Sequence, residues 1–137
     1  MTPRESRPAS FVFALDPATG VPAYRQIIDQ ILGAIASGAL QGGDQLPTVR
    51  QAAVDVSINP NTVVRAYREL EIRGVLTTQQ GLGTFITREP VKPDEAVRQR
   101  QLDQLVSDTL ARAGAAGVSA DELLTRLRDF IHEAKRS

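Results

Sequence analysis

The sequence predicts a mainly α-helical chain with one small β-hairpin, and three observations carry that prediction. Apolar residues recur at spacings of three and four along most of the 137 residues. Hydrophobic residues make up 42% of the chain but aromatic ones only 4%, which suits a small aliphatic core. Finally, two short β-prone runs, residues 75–78 and 84–87, flank the glycine-containing stretch 79–83.

From the N-terminus, residues 1–10 are polar and read as a disordered tail, and residues 11–15 form a short apolar run that needs something to pack against. Residues 16–20 make a turn punctuated by Pro17 and Gly20. Residues 22–37 then form a helix with Tyr24, Ile27, Ile28, Ile31, Leu32 and Ile35 on one face and Gly38 as its stop. Such a stripe is core, so this is a support helix. Residues 41–45, with two glycines, are the loop that follows.

A second helix starts at Thr48, whose hydroxyl is placed to accept from the Gln51 N–H while Gln51 reaches back, the T-x-x-Q form of a capping box. Ala52, Ala53 and Val54 are small enough to let another helix cross closely, and Asp55 and Ser57 lead into a turn that ends at Asn59. Asn59 followed by Pro60 is an N-cap followed by proline at the first helical position, where a missing N–H costs nothing. The buried stripe of this third helix is Val63, Ala66 or Tyr67, and Leu70, which turns Asn61, Val64, Arg65, Arg68 and Glu71 toward other faces. Arg73 and Gly74 close it. Capped helix, turn, capped helix and glycine-tipped hairpin, in that order, make a winged helix-turn-helix over residues 11–89. Gln80, Gly81 and Gly83 lie at the wing tip, where a missing Cβ lets backbone approach a phosphate or a minor groove.

Residues 90–93, with two prolines, are a linker. Beyond it, residues 94–137 read as two amphipathic helices. The first spans residues 94–113 with Leu102, Leu105, Val106, Thr109, Leu110 and Ala113 on one face, and residues 113–117 form a loop. Ser119 and Glu122 make a capping box for the second, lined by Leu123, Leu124, Leu127, Phe130, Ile131 and Ala134. Two helices cannot enclose a core alone, so these faces must cover something else. A second copy is the expected cover, giving a homodimer with two recognition helices roughly 34 Å apart, one turn of DNA, as inverted repeats require. The alternative is that the hairpin folds back on its own winged domain.

The 16 basic and 16 acidic residues cancel, so attraction to DNA must come from local clustering and affinity should fall with salt. There is no cysteine, hence no disulfide framework or zinc-thiolate site. No apolar run is long enough to span a bilayer, the start does not resemble a signal peptide, and the expected location is the cytoplasm. His132, the one histidine, has no gathered partners, so no metal is expected, and no cofactor either. No nucleophile–base pair or phosphate-cradling motif points to an enzyme.

The stretches L-P-T-x-R (residues 46–50), N-T-V-x-R-A-Y-x-E-L-E (61–71) and G-x-G-T-F (81–85) resemble the GntR family of bacterial transcription regulators. F-x-L-D-P-x-T-G-x-P-x-Y-R-Q-I (13–27) and the short tail look like its YtrA subfamily in particular. The resemblance implies that Arg50 reaches a guanine, that Asn61 and Thr62 touch bases or phosphates, and that Gly83 enters the minor groove. Many relatives carry arginine where this chain has Pro60 and Val64. Arg65, one position along, is available to replace the second, and Val64 to pack on a thymine methyl. Thr48, Asn59, Arg68, Gln80 and Gly81 complete the expected DNA-facing set, while Arg25 and Arg73 are open to phosphates or to nothing. Family habit implies repression, and the subfamily implies control of neighbouring transporter genes. A small effector, which nothing in the sequence identifies, would have room only at the dimer interface. The tail is too short for the aminotransferase-like domain that some relatives carry. The competing class is a winged-helix adaptor whose same surface binds protein.

Overall fold

In the computed structural model, which describes residues 11–89 and 92–136, the first apolar stripe becomes helix α1, Ala23–Ser37. Pro22 is its N-cap, so the helix starts one residue later than the sequence suggested, and Gly38 at φ 86° ends it. The run ahead of it does pack: Phe13 is buried, and Phe11 meets it edge-on at 5.1 Å between centroids. Two α1 glutamines hold this extended strip as a neighbouring strand would. Gln30 accepts from the Ala14 N–H at 3.0 Å and donates back to its carbonyl, and Gln26 accepts from the Asp16 N–H at 2.9 Å and donates to its carbonyl at 3.0 Å. The expected disorder of residues 1–10 lies outside the described residues, as do Pro90 and Val91 of the linker.

Helix α2, Val49–Val56, is capped by the Thr48 hydroxyl, which accepts from the Gln51 N–H at 3.1 Å. The reciprocal half of the box is not made. The Gln51 amide donates instead to Asp55 at 2.7 Å, because a charged acceptor one turn along the same helix is the stronger partner. The turn passes through Ser57 in the left-handed region at φ 55°, and Asn59 then caps α3, Pro60–Ile72, by accepting from the Asn61 N–H at 2.8 Å. Gly74 at φ 78° follows the helix end.

The hairpin pairs β1, Leu76–Gln79, with β2, Gly83–Ile86, antiparallel and in register from Leu76↔Ile86 to Gln79↔Gly83. Both strands lie one residue from the sequence expectation. The loop before α2 is more ordered than expected, because residues 43–46 run along the outer edge of β2. Leu46 N–H donates to the Thr84 carbonyl, Ile86 N–H to the Asp44 carbonyl and Gly43 N–H to the Ile86 carbonyl, each at 2.8 Å. Strand β2 is thus flanked by β1 on one side and by residues 43–46 on the other, and its outer edge has its hydrogen bonds made.

The core of this first unit gathers Ile27, Ile28 and Ile31 of α1, Ala52 and Ala53 of α2, Val63, Ala66, Tyr67 and Leu70 of α3, and Leu76 and Ile86 of the wing. Full burial of each large aliphatic side chain contributes about 1.5–3 kcal/mol. Tyr67 belongs to it: the ring tilts against Phe13 at 6.5 Å, and the hydroxyl donates to the buried Pro47 carbonyl at 2.7 Å. That bond ties the middle of α3 to the residue that leads into α2. Burial pushes the Tyr67 phenol well above its usual range.

The chain divides into two units near residue 90. The second consists of α4, Glu95–Ala115, capped by Asp94 through the Ala96 N–H at 2.8 Å, and α5, Ala120–Arg136, whose Glu122 N–H donates to Ser119 at 3.1 Å. Helix α4 runs through Gly114 to Ala115, past the loop expected at 113–117. Flanking alanines offset the modest cost of one helical glycine, and the real stop is Gly117 at φ 74°.

Tyr67→Phe leaves the Pro47 carbonyl unpaired and should cost about 1–3 kcal/mol in chemical denaturation. Because the folded-state phenol is raised, Tyr67 favours folding fully below its unfolded pKa of about 10, and that advantage is lost as pH rises above it. The alkaline fall in stability should therefore be shallower in Tyr67→Phe. Asn59→Ala should cost about 1 kcal/mol through the lost cap, and Asn59→Ser much less, measured by thermal unfolding.

Candidate nucleic-acid interface

Burial of Val63, Ala66, Tyr67 and Leu70 fixes which face of α3 looks outward. On that face Asn61, Val64, Arg65, Arg68, Glu69 and Ile72 line one shallow concavity of about 450 Å³. Val64 is 36% exposed and Ile72 80%, so the face mixes cations with apolar surface, a combination compatible with contact to base edges and thymine methyl groups. Thr62 sits half-buried in the first turn, and its N–H donates to the Asn59 carbonyl at 3.0 Å. The side-chain oxygens of Thr48 and Asn59 are used as helix caps, leaving the Asn59 amide group exposed.

Charge on this unit is apportioned by local pairing. Residues 11–89 contain six arginines. Arg25 pairs with Asp29 at 3.7 Å and Arg73 with Glu69 at 2.7 Å. Glu71 accepts from the Thr78 hydroxyl at 2.6 Å, linking the end of α3 to β1. The carboxylates on α3 are thus engaged away from Arg68, which makes no ion pair among the described residues. Nor does Arg50, exposed near the start of α2. Arg65 stacks on the Tyr24 ring at 3.7 Å, a cation–π contact to α1 that holds its guanidinium plane while leaving N–H edges for an acceptor. Tyr24 lies on the apolar stripe of α1, whose spacing alone reads as core and carries no sign of this second use.

At the wing tip, Gln80 and Gly81 are exposed, and Leu82 projects at 67% exposure between two glycines of positive φ, 82° at Gly81 and 130° at Gly83. Gln45 was also missed. Its amide donates to the Leu82 carbonyl at 3.1 Å across the face of Gly83. The detectable signal was Gly83 itself, a residue with no side chain where another part of the protein comes close.

In the second unit, described by itself, Leu102, Leu105, Val106, Thr109 and Leu110 of α4 face Ala120, Leu123, Leu124 and Leu127 of α5 across an apolar groove of about 370 Å³. Leu102, Leu105, Val106 and Leu110 are 44–62% exposed, Phe130 on α5 is also exposed, and Ile131 is half-buried. His132 is exposed, and no group of three or more acidic or histidine side chains suited to a metal occurs among the described residues. No described helix is long and apolar enough to cross a membrane.

Residues 23–86 match the family of bacterial regulatory proteins of the gntR type. The HTH-type transcriptional repressor YtrA of Bacillus subtilis (strain 168) is 35% identical over 125 residues, which cover 88% of this chain and 93% of that protein. Among solved structures, a transcriptional antiterminator from Listeria monocytogenes EGD-e superposes with a TM-score of 0.67 at 27% identity, covering 92% of this chain and 94% of that one. YtrA from Sulfolobus acidocaldarius, described as a GntR-family transcription factor, gives 0.52 at 30% identity, covering 88% and 97%. The winged helix-turn-helix, its outward arginines and these likenesses over nearly the whole length agree: the chain belongs to the GntR family, as a YtrA-like DNA-binding regulator of transcription and not an enzyme.

Proposed function

We propose that this regulator is a homodimeric repressor that occupies an inverted-repeat operator near a promoter and blocks polymerase, with neighbouring transporter genes as its targets. One observation carries the DNA-reading part. The outward face of α3 keeps Arg68 clear of ion pairs and Arg65 stacked on Tyr24, while Glu69 and Glu71 are engaged by Arg73 and Thr78. Residues 11–89 form the reading domain. Arg50 meets a guanine edge, Asn61, Thr62 and Val64 meet bases or adjacent phosphates, Arg65 takes the place of the arginine that many relatives carry one position earlier, Arg68 meets phosphate, and Gln80, Gly81 and Gly83 bring the wing to the groove. Thr48 and Asn59 act chiefly by capping the two helices.

Residues 94–137 hold the dimer. The exposed apolar positions of α4 and α5 need a cover, and a second copy supplies one with two-fold symmetry, which places two reading domains on two half-sites. The repressor assignment is supported by the Bacillus subtilis relative, whose own name calls it a repressor. A regulator of transcription of this kind works in the cytoplasm, where its DNA is.

Selection of bound duplexes from a random library at near-physiological salt tests the proposal. Enrichment of an inverted repeat with half-sites about ten base pairs apart is expected; a lone half-site would contradict the paired geometry, and no enrichment would favour a protein-binding adaptor. On the enriched duplex, Arg50→Ala should cost about 1–3 kcal/mol and relax preference at one position, whereas Arg68→Ala should weaken all sequences alike and lower the salt slope by about one. Leu105→Glu combined with Leu127→Glu should turn a dimer into a monomer in sedimentation equilibrium, with the helical signal of residues 11–89 retained.

A further inference from the structure

Every backbone polar group of Leu82 at the wing tip is already used. Its N–H donates to the Gln79 carbonyl at 2.9 Å, closing the turn, and its carbonyl accepts from the Gln45 amide at 3.1 Å. Gln45 reaches there from outside the hairpin, since it forms a bridge with Phe85 and is held at that register by the neighbouring Leu46 N–H to Thr84 carbonyl bond. On the way its side chain crosses Gly83. A Cβ built on Gly83 would stand 2.6 Å from the Gln45 amide nitrogen, with further side-chain atoms at 3.6 and 3.8 Å. Gly81, by contrast, would meet nothing within 4 Å. The two tip glycines therefore serve different ends: Gly81 has only its left-handed backbone to satisfy, whereas Gly83 must also leave room for Gln45.

We infer that Gln45 is a positioning residue that pre-organises the wing for DNA, and that Gly83 is glycine in part so that this brace can pass. A four-residue-per-strand hairpin is marginal by itself, and its tip would otherwise lose its conformational freedom only on binding. Fixing the tip in the free protein removes that cost from association. The brace also explains what the tip presents. With both backbone groups of Leu82 occupied, the tip offers DNA an exposed apolar side chain on a rigid mount, flanked by Gly81. The inference rests on the DNA reading of the wing, and its test separates the two.

The test compares the full-length protein with Gln45→Met, which keeps bulk but loses the donor, and Gln45→Ala, which loses both. Backbone 15N order parameters are measured for residues 81–83 without DNA, and affinity is measured for the duplex enriched from the random library. Wild-type values near about 0.85 should fall below about 0.6 in both variants, with α1 and α3 unchanged, and affinity should drop about fivefold or more. Gly83→Ala is strained by its φ of 130° in any background, yet should weaken binding less when Gln45 is already Ala, because the close approach has gone. Unchanged order parameters in Gln45→Met, or additive losses in the double variant, would overturn the brace. A wild-type protein that binds no duplex would overturn the DNA reading instead, leaving the order parameters to decide the brace.

Discussion

The burial of one stripe of α3 is the constraint on which the rest depends. Val63, Ala66 and Leu70 are fully buried against α1 and α2, and Tyr67 beside them bonds the Pro47 carbonyl. A helix has only one circumference, so burying this stripe determines that Asn61, Val64, Arg65 and Arg68 stand outward together. The small residues Ala52 and Ala53 let α2 come close enough to hold the angle, and the ends of both helices are set by Thr48 and Asn59. The outward grouping of these four residues is a consequence of packing.

A second constraint is electrostatic. A chain with equal numbers of acidic and basic residues has no long-range pull on a polyanion, so it must place its few uncommitted cations well. It does this by local pairing. Arg73 pairs with Glu69 and the Thr78 hydroxyl donates to Glu71, so neither carboxylate forms an ion pair with Arg68. Tyr24 holds Arg65 by its ring and not by a counter-charge, so that cation keeps its full charge toward an outside acceptor. Exposed pairs of this sort add little stability. Their value lies in which charges they leave unpaired.

Much of this was legible in the residues because the signals are local. Asn59-Pro60, Gly38, Gly74 and the 3-and-4 spacing of the isoleucines in α1 each announce an element within a few positions, and the motifs around Arg50, Tyr67 and Gly83 announced the family. The features that escaped depend on competition or on distance. Gln51 had two possible acceptors, and only the structure shows Asp55 winning. The glycines of residues 113–117 read as a loop, yet only Gly117 takes a positive φ, so α4 continues through Gly114 to Ala115. The Gln45–Leu82 bond spans 37 positions of sequence and the Arg65–Tyr24 stack spans 41, separations at which no periodicity speaks. The wing was recognisable from its glycines, but its third edge, residues 43–46, has a loop composition and pairs with β2 only because the fold carries it there.

We propose that DNA sits on the face made by α3, the start of α2 and the wing tip. Amide chemical-shift mapping tests it most directly: the 15N-labelled protein is titrated with the duplex it prefers, and perturbations are placed on the structure. The largest changes should fall on residues 48–51, 59–68 and 79–83, with the apolar faces of α4 and α5 undisturbed. Changes centred on α1, on residues 11–20 or on α4 and α5, with the α3 face silent, would contradict it.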